Sequence, residues 1–550
     1  MTAQIPLTTD KPGKVQPITL TQFLSQSALR FGDRPALTFM GFSITYIALT
    51  DLVNRFAQSL TDLGVQHGDR VAIMLPNMPQ TVVANYAILR MGAVTVMVNP
   101  LYTIPELTYQ LNDAGVETLI VLDTLVDKAK AVWPHTPLKR LIVCHSNDLI
   151  PVPSESLPAG AYRPVETGNA VFSYRELQEF HPIGQPFADQ SEWNGLATLM
   201  YTGGTTGQSK GVILTHATMS SNIQLVRADW NEVWQDGQER LAAIFPMFHV
   251  GGYIGMQLLS LSYGATLILI PRPEPDTLMR LLEIDKPTVL AAVPTIYVGL
   301  LNHPNWANLD LSFIKIMATA AAPMAASIYP LLVEKCPEAR LVEVWGMTEL
   351  SGFATCTPLA TEKVKLGSVG LPLPGCDVKI VDITTGLTAL PDGQAGEICF
   401  RGPQVMLGYW NKAEATADVV REGWLYSGDI GYVDEDGWLY IVDRKKDLVI
   451  AGGYNVYPRE IDDVLVSHPA ILEACCIGVP DAYRGETVKA FIVCKPYKSL
   501  EADEVITYCR ERLAAYKLPR QIEFVTEIPK SVVGKILRRE VRRLAMLQPA

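Results

Sequence analysis

Hydrophobic and polar positions follow two different periods along the first third of the chain. Between Ile18 and Ala188, segments with apolar residues every three to four positions, such as LTQFLSQSALRF, alternate with short apolar runs such as RVAIM. This alternation is typical of parallel strands that are connected by helices. The pattern therefore predicts a layered α/β sheet here, and a second set of the same kind from Leu196 to about Ala354.

The pattern changes in the last third of the chain, where short strands are separated by glycines. The segment GWLYSGDIGYVDEDGWLYIVDR contains two alternating strands, and the dipeptide Asp436–Gly437 between them is typical of a hairpin. A compact charged segment follows, and beyond it lies about a hundred residues of small α/β pattern, the size of a domain. The predicted class is α/β, with a large N-terminal domain (1–443) of layered sheets and a β-rich subdomain, a hinge (444–447) and a small mobile α+β lid (448–550).

Composition narrows the functional classes. The 550 residues carry a net charge of −11, which argues against a nucleic-acid partner. The nine cysteines contain no C-x-x-C pair, which fits a reducing compartment. The first residues lack the apolar core of a signal peptide, and no apolar run reaches the ~18 residues of a membrane span. We therefore expect a cytoplasmic protein; peripheral contact with the inner face of the membrane and a homodimer both stay open.

One segment, YTGGTTGQSKG at 201–211, combines glycines, hydroxyl groups and a lysine between two predicted strands. Glycines allow successive backbone N–H groups to converge on one point, and the hydroxyls and Lys210 add donors and positive charge. This chemistry suits a polyphosphate. The spacing of Gly207 and Lys210 differs from that of the P-loop, so an ordinary surface loop is also open on this segment alone.

This segment is the first of a series of motifs that resembles the adenylate-forming enzymes, which include acyl-CoA synthetases, aryl-CoA ligases, luciferases and peptide-synthetase adenylation domains. The later motifs are PMFHVGG (246–252), AAAPM (320–324), WGMTE (345–349), GEICFRG (396–402), YSGDIG (426–431), DRKKDLVIAGGYNVYPREI (443–461) and PKSVVGKILRR (529–539). Together they span roughly Thr19 to Arg543. The resemblance implies that a carboxylic acid reacts with ATP to give acyl-AMP and pyrophosphate, and that the acyl group then passes to coenzyme A.

The resemblance also implies the residues that bind ATP, Mg²⁺ and coenzyme A. These are Thr202, Gly203, Gly204, Thr205, Thr206, Gly207, Lys210, Ala321, Ala322, Pro323, Trp345, Gly346, Met347, Thr348, Asp429, Arg444, Lys446, Gly452, Gly453 and Lys535. Thr205 and Glu349 would hold Mg²⁺, a cation that prefers oxygen ligands. Trp345 would stack on adenine, and Asp429 would accept the ribose hydroxyls beside Arg444. The chain departs from the family pattern at Ser209, where proline is usual, and at Ala320 and Ala321, where glycines are usual.

The implied catalytic residues are Lys535, Glu349, Thr348 and His249. Lys535 would reach from the lid to bridge the attacking carboxylate and the α-phosphate. Lys446 would be the pivot about which the lid rotates for the second half-reaction. Gly452 and Gly453 would then form the turn beside a pantetheine tunnel, where backbone approaches closely.

The acyl pocket decides which acid is activated. By resemblance it is lined by His249, Val250, Gly251, Tyr253, Ala320 and Gly346. Gly346 stands where acetate-specific relatives carry a bulky residue, and 249–253 and 318–324 contain no Asp, Glu, Lys or Arg, which suits an apolar tail. The segments at 98–115 and 293–304 resemble long-chain fatty acyl-CoA ligases. We expect a medium- or long-chain fatty acid as substrate; an aryl-CoA ligase of the 4-coumarate or benzoate type, a luciferase-like enzyme and a stand-alone adenylation enzyme that loads a carrier protein are the alternatives.

Overall fold

The structure is a computed structural model, and it describes residues 14–151, 163–202, 208–322, 324, 328–359, 364–451, 454–481, 483–531 and 534–547. Eight of the predicted site residues lie outside these ranges. They are Gly203, Gly204, Thr205, Thr206, Gly207, Pro323, Gly452 and Gly453.

The described helices and strands alternate through most of the chain. The helices are α1 (Leu20–Phe31), α2 (Tyr46–Asp62), α3 (Pro79–Arg90), α4 (Ile104–Ala114), α5 (Val126–Val132), α6 (Tyr174–Phe180), α7 (His216–Asp229), α8 (Leu259–Ser262), α9 (Pro275–Ile284), α10 (Pro294–Leu301), α11 (Ile328–Lys335), α12 (Ala413–Val419), α13 (Pro458–Val466), α14 (Ala502–Arg510) and α15 (Arg538–Leu547). The strands are β1 (Pro35–Phe39), β2 (Phe42–Thr45), β3 (Arg70–Met74), β4 (Val94–Met97), β5 (Thr118–Leu122), β6 (Arg140–Cys144), β7 (Val171–Ser173), β8 (Leu196–Thr202), β9 (Lys210–Thr215), β10 (Arg240–Ala243), β11 (Thr266–Leu269), β12 (Val289–Ala292), β13 (Ile316–Thr319), β14 (Arg340–Met347), β15 (Gly352–Cys356), β16 (Leu371–Pro372), β17 (Asp377–Val381), β18 (Gly396–Arg401), β19 (Val420–Arg421), β20 (Trp424–Val433), β21 (Leu439–Arg444), β22 (Val449–Ala451), β23 (Tyr454–Val456), β24 (Ile471–Asp481), β25 (Gly485–Cys494) and β26 (Gln521–Phe524).

These strands pair into four sheets. The first has the order β7-β6-β5-β3-β4-β8-β9, and the second β16-β15-β14-β13-β12-β10-β11-β1-β2. The third is β17-β18-β20-β19 with β21 on β20, and the fourth is β23-β22-β25-β24 with β26 on β25. Helix α3 is buried along its whole length, and one apolar core includes residues of α1, α2, α3 and both large sheets. The two large sheets therefore share a core, as expected for a layered α/β domain.

Two strand pairs lie in a different sheet from the one that the order of the sequence suggests. The hairpin β1–β2 joins the second sheet, where Leu37 pairs in parallel with Leu267 of β11. The hairpin β8–β9 joins the first sheet, where Thr95 of β4 pairs in parallel with Thr198. The distribution of strands between the two large sheets therefore does not follow their order along the chain. Apolar periodicity identifies strands but carries no information about their distant partners.

Several strands of the second sheet end at the same edge. The neighbouring strands β10, β12, β13 and β14 are mutually parallel, so their carboxyl ends lie side by side. The segments that follow them begin at Ile244, Val293, Ala320 and Thr348. This edge is where ligands bind in parallel α/β sheets, and three of the motif segments follow these strands.

The C-terminal region confirms the predicted hairpin, because β20 and β21 pair antiparallel around Asp436–Gly437. A 3-10 turn, Lys445–Asp447, follows β21, and the fourth sheet begins two residues later with β22. The predicted hinge coincides with this turn, and its role as a hinge stays a prediction. The lid contacts the large domain at Gly534, where a Cβ atom would lie 2.8 Å from the hydroxyl oxygen of Thr295. Within the described part of the chain, no helix is both long and apolar enough to span a bilayer.

Candidate active site

Asp429 contacts two other predicted nucleotide-binding residues, Trp345 and Arg444. Its Oδ2 atom accepts a hydrogen bond from Nε1 of Trp345 at 2.9 Å, and its Oδ1 atom lies 3.3 Å from Nε of Arg444. Asp429 and Arg444 face each other on the paired strands β20 and β21. The orientation of the Trp345 ring is therefore fixed by the third sheet, although the tryptophan belongs to the second.

Glu349 lies in a 3-10 turn, Thr348–Leu350, directly after β14. Its side chain is buried, and its Oε1 atom accepts a 2.8 Å hydrogen bond from the hydroxyl of Tyr409. Burial raises the pKa of this carboxyl above its usual range, and the hydrogen bond from Tyr409 opposes the shift. An oxygen-seeking dication would offset the cost of burying the ionised form.

The donor set fits Mg²⁺ bound mainly through a substrate. No group of three or more His, Cys, Asp or Glu side chains in the described ranges could hold a metal ion. Mg²⁺ is usually held in proteins by one or two carboxylates together with water and substrate phosphates. Glu349 can supply the carboxylate, whereas the second predicted ligand, Thr205, lies outside the described residues.

The charges of Asp429 and Arg444 act on one lysine of the lid and one of the predicted hinge. Burial and the charge of Arg444 lower the pKa of Lys535 to about 7. The same two causes lower the pKa of Lys446 to about 8. Burial and the charge of Lys535 lower the pKa of His249 to about 4, so this imidazole is neutral at pH 7. Several positive groups around a half-buried space form an environment that favours an anion.

Two hydrogen bonds join Lys535 to Ser531 within the lid. The backbone N–H of Lys535 donates to the hydroxyl of Ser531 at 3.2 Å, and the N–H of Ser531 donates to the carbonyl of Lys535 at 2.8 Å. Three residues further on, Arg538 forms a buried ion pair with Asp462 of α13 and donates to the carbonyl of Cys476 at 3.2 Å. The position of Lys535 is therefore tied to the core of the lid.

The segment predicted to bind polyphosphate connects the antiparallel strands β8 and β9, in which Thr202 pairs with Lys210. Tyr109 donates a 3.0 Å hydrogen bond to the carbonyl of Ser209. On the other strand, Tyr201 donates to Asp113 at 2.7 Å. The position where the family pattern has proline is therefore anchored by a tyrosine of α4, which restrains the backbone in place of the proline ring.

In the segment after β13, the backbone conformation shows what the two alanines in place of the family's glycines cost. Ala321 has φ +67°, in the left-handed region, whereas Ala320 does not have a positive φ. A residue with a Cβ pays roughly 1–2 kcal/mol for this conformation, and glycine does not. The second glycine of the family pattern is therefore explained by backbone conformation, and the alanine here carries strain.

Gly346 is exposed at the edge of the sheet, but a side chain at this position would collide with neighbouring backbone. A Cβ atom there would lie 1.8 Å from the carbonyl oxygen of Gly352 on the paired strand β15. The register also shifts between Trp345 and Gly346. Our explanation of this glycine as an opening for a long acyl chain was therefore incomplete, because strand pairing already requires it.

The other predicted pocket residues divide into two groups. His249 and Gly251 are half-buried, and the N–H of Gly251 donates to Nδ1 of His249 at 3.2 Å at the start of a π-helix, Gly251–Leu258. Tyr253 is fully buried, and its hydroxyl lies 2.8 Å from Thr198 and 2.7 Å from Asn85. The expectation that Tyr253 faces the acyl pocket is not supported, because its side chain packs against the first sheet. Val250 is buried as well, and Ala320, Ala322 and Met347 are half-buried.

Sequence reasoning missed two side chains at this site. Tyr409 contacts Glu349, as described above. Glu343 lies two residues before Trp345 on β14 and is buried, and burial raises the pKa of its carboxyl to about 8. The only sequence signal for Glu343 is its spacing, because alternate residues of a strand share a face.

Comparison with known proteins identifies the class. The model of the AMP-binding enzyme family matches residues 24–410, and that of the AMP-binding enzyme C-terminal domain matches residues 460–535. The chain therefore belongs to the AMP-binding enzyme family, which confirms the predicted resemblance.

Among individual proteins, the chain is similar to two bacterial fatty-acid CoA ligases in sequence and to a solved CoA ligase in structure. The chain is 41% identical over 531 residues to a long-chain-fatty-acid–CoA ligase of Bacillus subtilis (strain 168), covering 95% of this chain and 94% of the relative. It is 36% identical over 556 residues to the long-chain-fatty-acid–CoA ligase of Escherichia coli O6:H1, covering 97% and 96%. The crystal structure of the anthranilate CoA ligase AuaEII with anthranoyl-AMP superposes with a TM-score of 0.86 at 26% identity over 99% of both chains. The α/β architecture is thereby confirmed.

The strain at Ala321 gives a first prediction. Ala321→Gly should be neutral or stabilising by up to about 1 kcal/mol, because it removes the cost of the left-handed conformation. The matched change Ala320→Gly should destabilise by about 0.5–1 kcal/mol through lost backbone restriction. Urea unfolding of the two variants measures both effects, and an equal loss at both positions would contradict the assignment.

Gly346→Ala should destabilise the protein by about 1–3 kcal/mol, because the new methyl group must displace the backbone of β15. The control is Gly299→Ala in α10, where a Cβ atom would meet nothing closer than Pro275 Cγ at 4.0 Å. There alanine should stabilise by roughly 0.5–1 kcal/mol. Thermal unfolding distinguishes the two cases. Replacing Gly346 with a residue larger than alanine would disturb the pairing of β14 with β15 as well as the predicted pocket, so its effect on activity could not be assigned to the pocket alone.

Glu343 predicts a pH dependence of stability. Its folded pKa is about 8 against an ordinary value of 4.5, so over this window the folded protein keeps a proton that the unfolded chain releases. This group therefore lowers stability as pH rises from about 4.5 to about 8. Glu343→Gln should stabilise the protein more at pH 8 than at pH 5.5 in urea unfolding. A pH-independent effect of Glu343→Gln would refute the prediction.

Proposed function

We propose that the protein converts a medium- or long-chain fatty acid to acyl-AMP with release of pyrophosphate, and then transfers the acyl group to coenzyme A. The observation that carries this proposal is that Asp429 contacts both Trp345 and Arg444, and that the charges of Asp429 and Arg444 act on Lys535 of the lid. The aliphatic acid is supported by the two bacterial fatty-acid relatives, which match nearly the whole chain.

The residues of this chain divide the work of the first half-reaction. Trp345 and Asp429 would orient the nucleoside, and Thr202 and Lys210 would hold the triphosphate. Mg²⁺, held by Glu349, would supply charge neutralisation for the phosphates when bound. Lys535 would place its ammonium between the carboxylate and the α-phosphate, where negative charge builds up in the transition state. Thr348 would contact the α-phosphate, and the neutral imidazole of His249 would border the acyl entrance.

The second half-reaction requires the lid to move. Lys446 lies in the turn between β21 and the lid sheet, and we assign it as the pivot. Rotation there would withdraw Lys535 and bring residues 452–453 towards the acyl-AMP, together with the pantetheine arm of coenzyme A. The nine cysteines are unpaired, which supports a cytoplasmic location. Peripheral membrane contact and a homodimer are compatible with this proposal.

An aryl-CoA ligase is the second candidate, because the structure superposes well on an anthranilate CoA ligase. Pyrophosphate release across acids from acetate to palmitate, with benzoate and coumarate included, tests both candidates with ATP, Mg²⁺ and coenzyme A. Highest kcat/KM on medium or long aliphatic acids supports the proposal. Highest kcat/KM on benzoate or coumarate would replace it with the aryl reading, and no thioester with any acid would favour the carrier-loading alternative.

Lys535→Ala should reduce acyl-adenylate formation by at least about a hundredfold, the scale typical of losing one preorganised electrostatic group. Thioester formation from supplied acyl-AMP should survive, because the lysine has left the site by then.

Lys446→Pro restrains φ to about −65° and should show the opposite pattern, with adenylation retained and thioester formation reduced. Pyrophosphate exchange and single-turnover thioester assays measure the two steps. Equal losses in both steps for Lys535→Ala would contradict its role.

A further inference from the structure

A short segment, Met406–Trp410, connects the two halves of the candidate ATP site. Its N-terminal end contacts the second sheet, since the N–H of Met406 donates to the carbonyl of Glu349 at 2.8 Å. Its C-terminal end contacts the first sheet, since the N–H of Trp410 donates to the carbonyl of Gly211 at 2.7 Å. We call residues 406–410 the strap. It joins the turn that carries the metal-binding carboxylate to the strand that carries Lys210.

Tyr409 lies in the strap between the two functional side chains. Its hydroxyl donates to Oε1 of Glu349 at 2.8 Å, and Nζ of Lys210 lies 4.8 Å from the centre of its ring. The side chain is 9% exposed, and its backbone N–H donates to Oγ1 of Thr416 at 2.9 Å. One rigid aromatic side chain thus contacts both a carboxylate and an ammonium group, through different parts of its structure.

These two contacts have different physical origins. The hydroxyl donates to a carboxylate, and a hydrogen bond to a charged acceptor is stronger than one between neutral groups. The ring attracts the ammonium group through its quadrupole, and this attraction needs no hydroxyl. The contacts can therefore be removed one at a time, which separates an effect on Glu349 from an effect on Lys210.

We propose that Tyr409 is a positioning residue that holds the metal-binding carboxylate of Glu349 and the triphosphate-binding ammonium of Lys210 at a fixed separation before Mg²⁺ and ATP bind. The inference rests on the proposed function for the identity of the ligands. Preorganisation of this kind reduces the conformational entropy that is lost on binding. The alternative is an ordinary core tyrosine whose contacts serve stability alone.

The test uses two substitutions in the full-length protein. Tyr409→Phe keeps the ring and removes the hydroxyl, so it should raise the Mg²⁺ concentration for half-maximal ATP binding by about ten- to a hundredfold, the loss expected for a hydrogen bond to a charged group. Binding of ATP in EDTA should be unchanged. Tyr409→Leu removes both contacts and should also weaken ATP binding in EDTA by about two- to fivefold, the scale of a cation–π contact. Isothermal titration calorimetry without any acid measures both quantities.

Tyr426→Phe is the matched control. Tyr426 is also 9% exposed, donates its hydroxyl to the carbonyl of Gly386 at 3.1 Å, and has the guanidinium of Arg421 4.5 Å from its ring centre. It lies in the third sheet, and its contacts include neither Glu349 nor Lys210. Tyr426→Phe should lower the melting temperature and leave the Mg²⁺ dependence of ATP binding at the wild-type value.

The outcomes decide whether Tyr409 positions Glu349 and Lys210 or only stabilises the core. An unchanged Mg²⁺ dependence in Tyr409→Phe, with a lower melting temperature, would overturn the proposal and leave a structural tyrosine. Equal effects of Tyr409→Phe and Tyr409→Leu on ATP binding in EDTA would overturn the part that concerns Lys210. Because calorimetry needs no acid, a failure of the proposed acyl activation would appear separately, as the absence of pyrophosphate release from the wild-type protein with every acid tested.

Discussion

The interaction on which the rest of the site depends is the contact of one carboxylate, that of Asp429, with groups from two other strands. Its two oxygens bind the indole of Trp345 and the guanidinium of Arg444. The first contact joins the third sheet to the second, and the second contact is made by Arg444, the last residue of β21 and the first of the predicted hinge. The predicted nucleoside contacts and the predicted hinge therefore meet at the same anion.

Two lysines, Lys535 and Lys446, lie near Arg444 although neither has, among the described residues, a carboxylate of its own to neutralise it. Their lowered pKa values explain how this is possible. Burial and the charge of Arg444 lower the pKa of Lys535 to about 7 and that of Lys446 to about 8. A lysine that loses its proton readily avoids the cost of a buried, unpaired charge. A bound anionic substrate would restore the charge, because a nearby opposite charge raises the pKa of an ammonium group. Under the proposed function, the cationic character of the site would thus increase when the phosphates bind.

Local structure was predictable from the sequence where the determinants are local. Thr19 and Gln22 form the capping box that starts α1, and Asp436–Gly437 forms the predicted hairpin turn. The surroundings of Gly346 and Tyr253 were not predictable from the sequence, because they come from strand β15 and from the first sheet, and no nearby residue indicates them. The exchange of β1–β2 and β8–β9 between the large sheets has the same cause, since strand partners are chosen by the whole fold.

Placing the predicted catalytic lysine on a separate, small domain agrees with the same electrostatics. A lysine fixed permanently among Arg444, Lys446 and bound phosphates would oppose release of the product and entry of the thiol. Within the lid, the ion pair of Arg538 with Asp462 and the hydrogen bonds between Ser531 and Lys535 hold Lys535 in place. Under the proposed function, its position relative to the phosphates would therefore be set by movement of the lid as a whole. Rigidity within the lid and rotation at the predicted hinge, residues 444–447, would together allow one site to carry out two successive reactions.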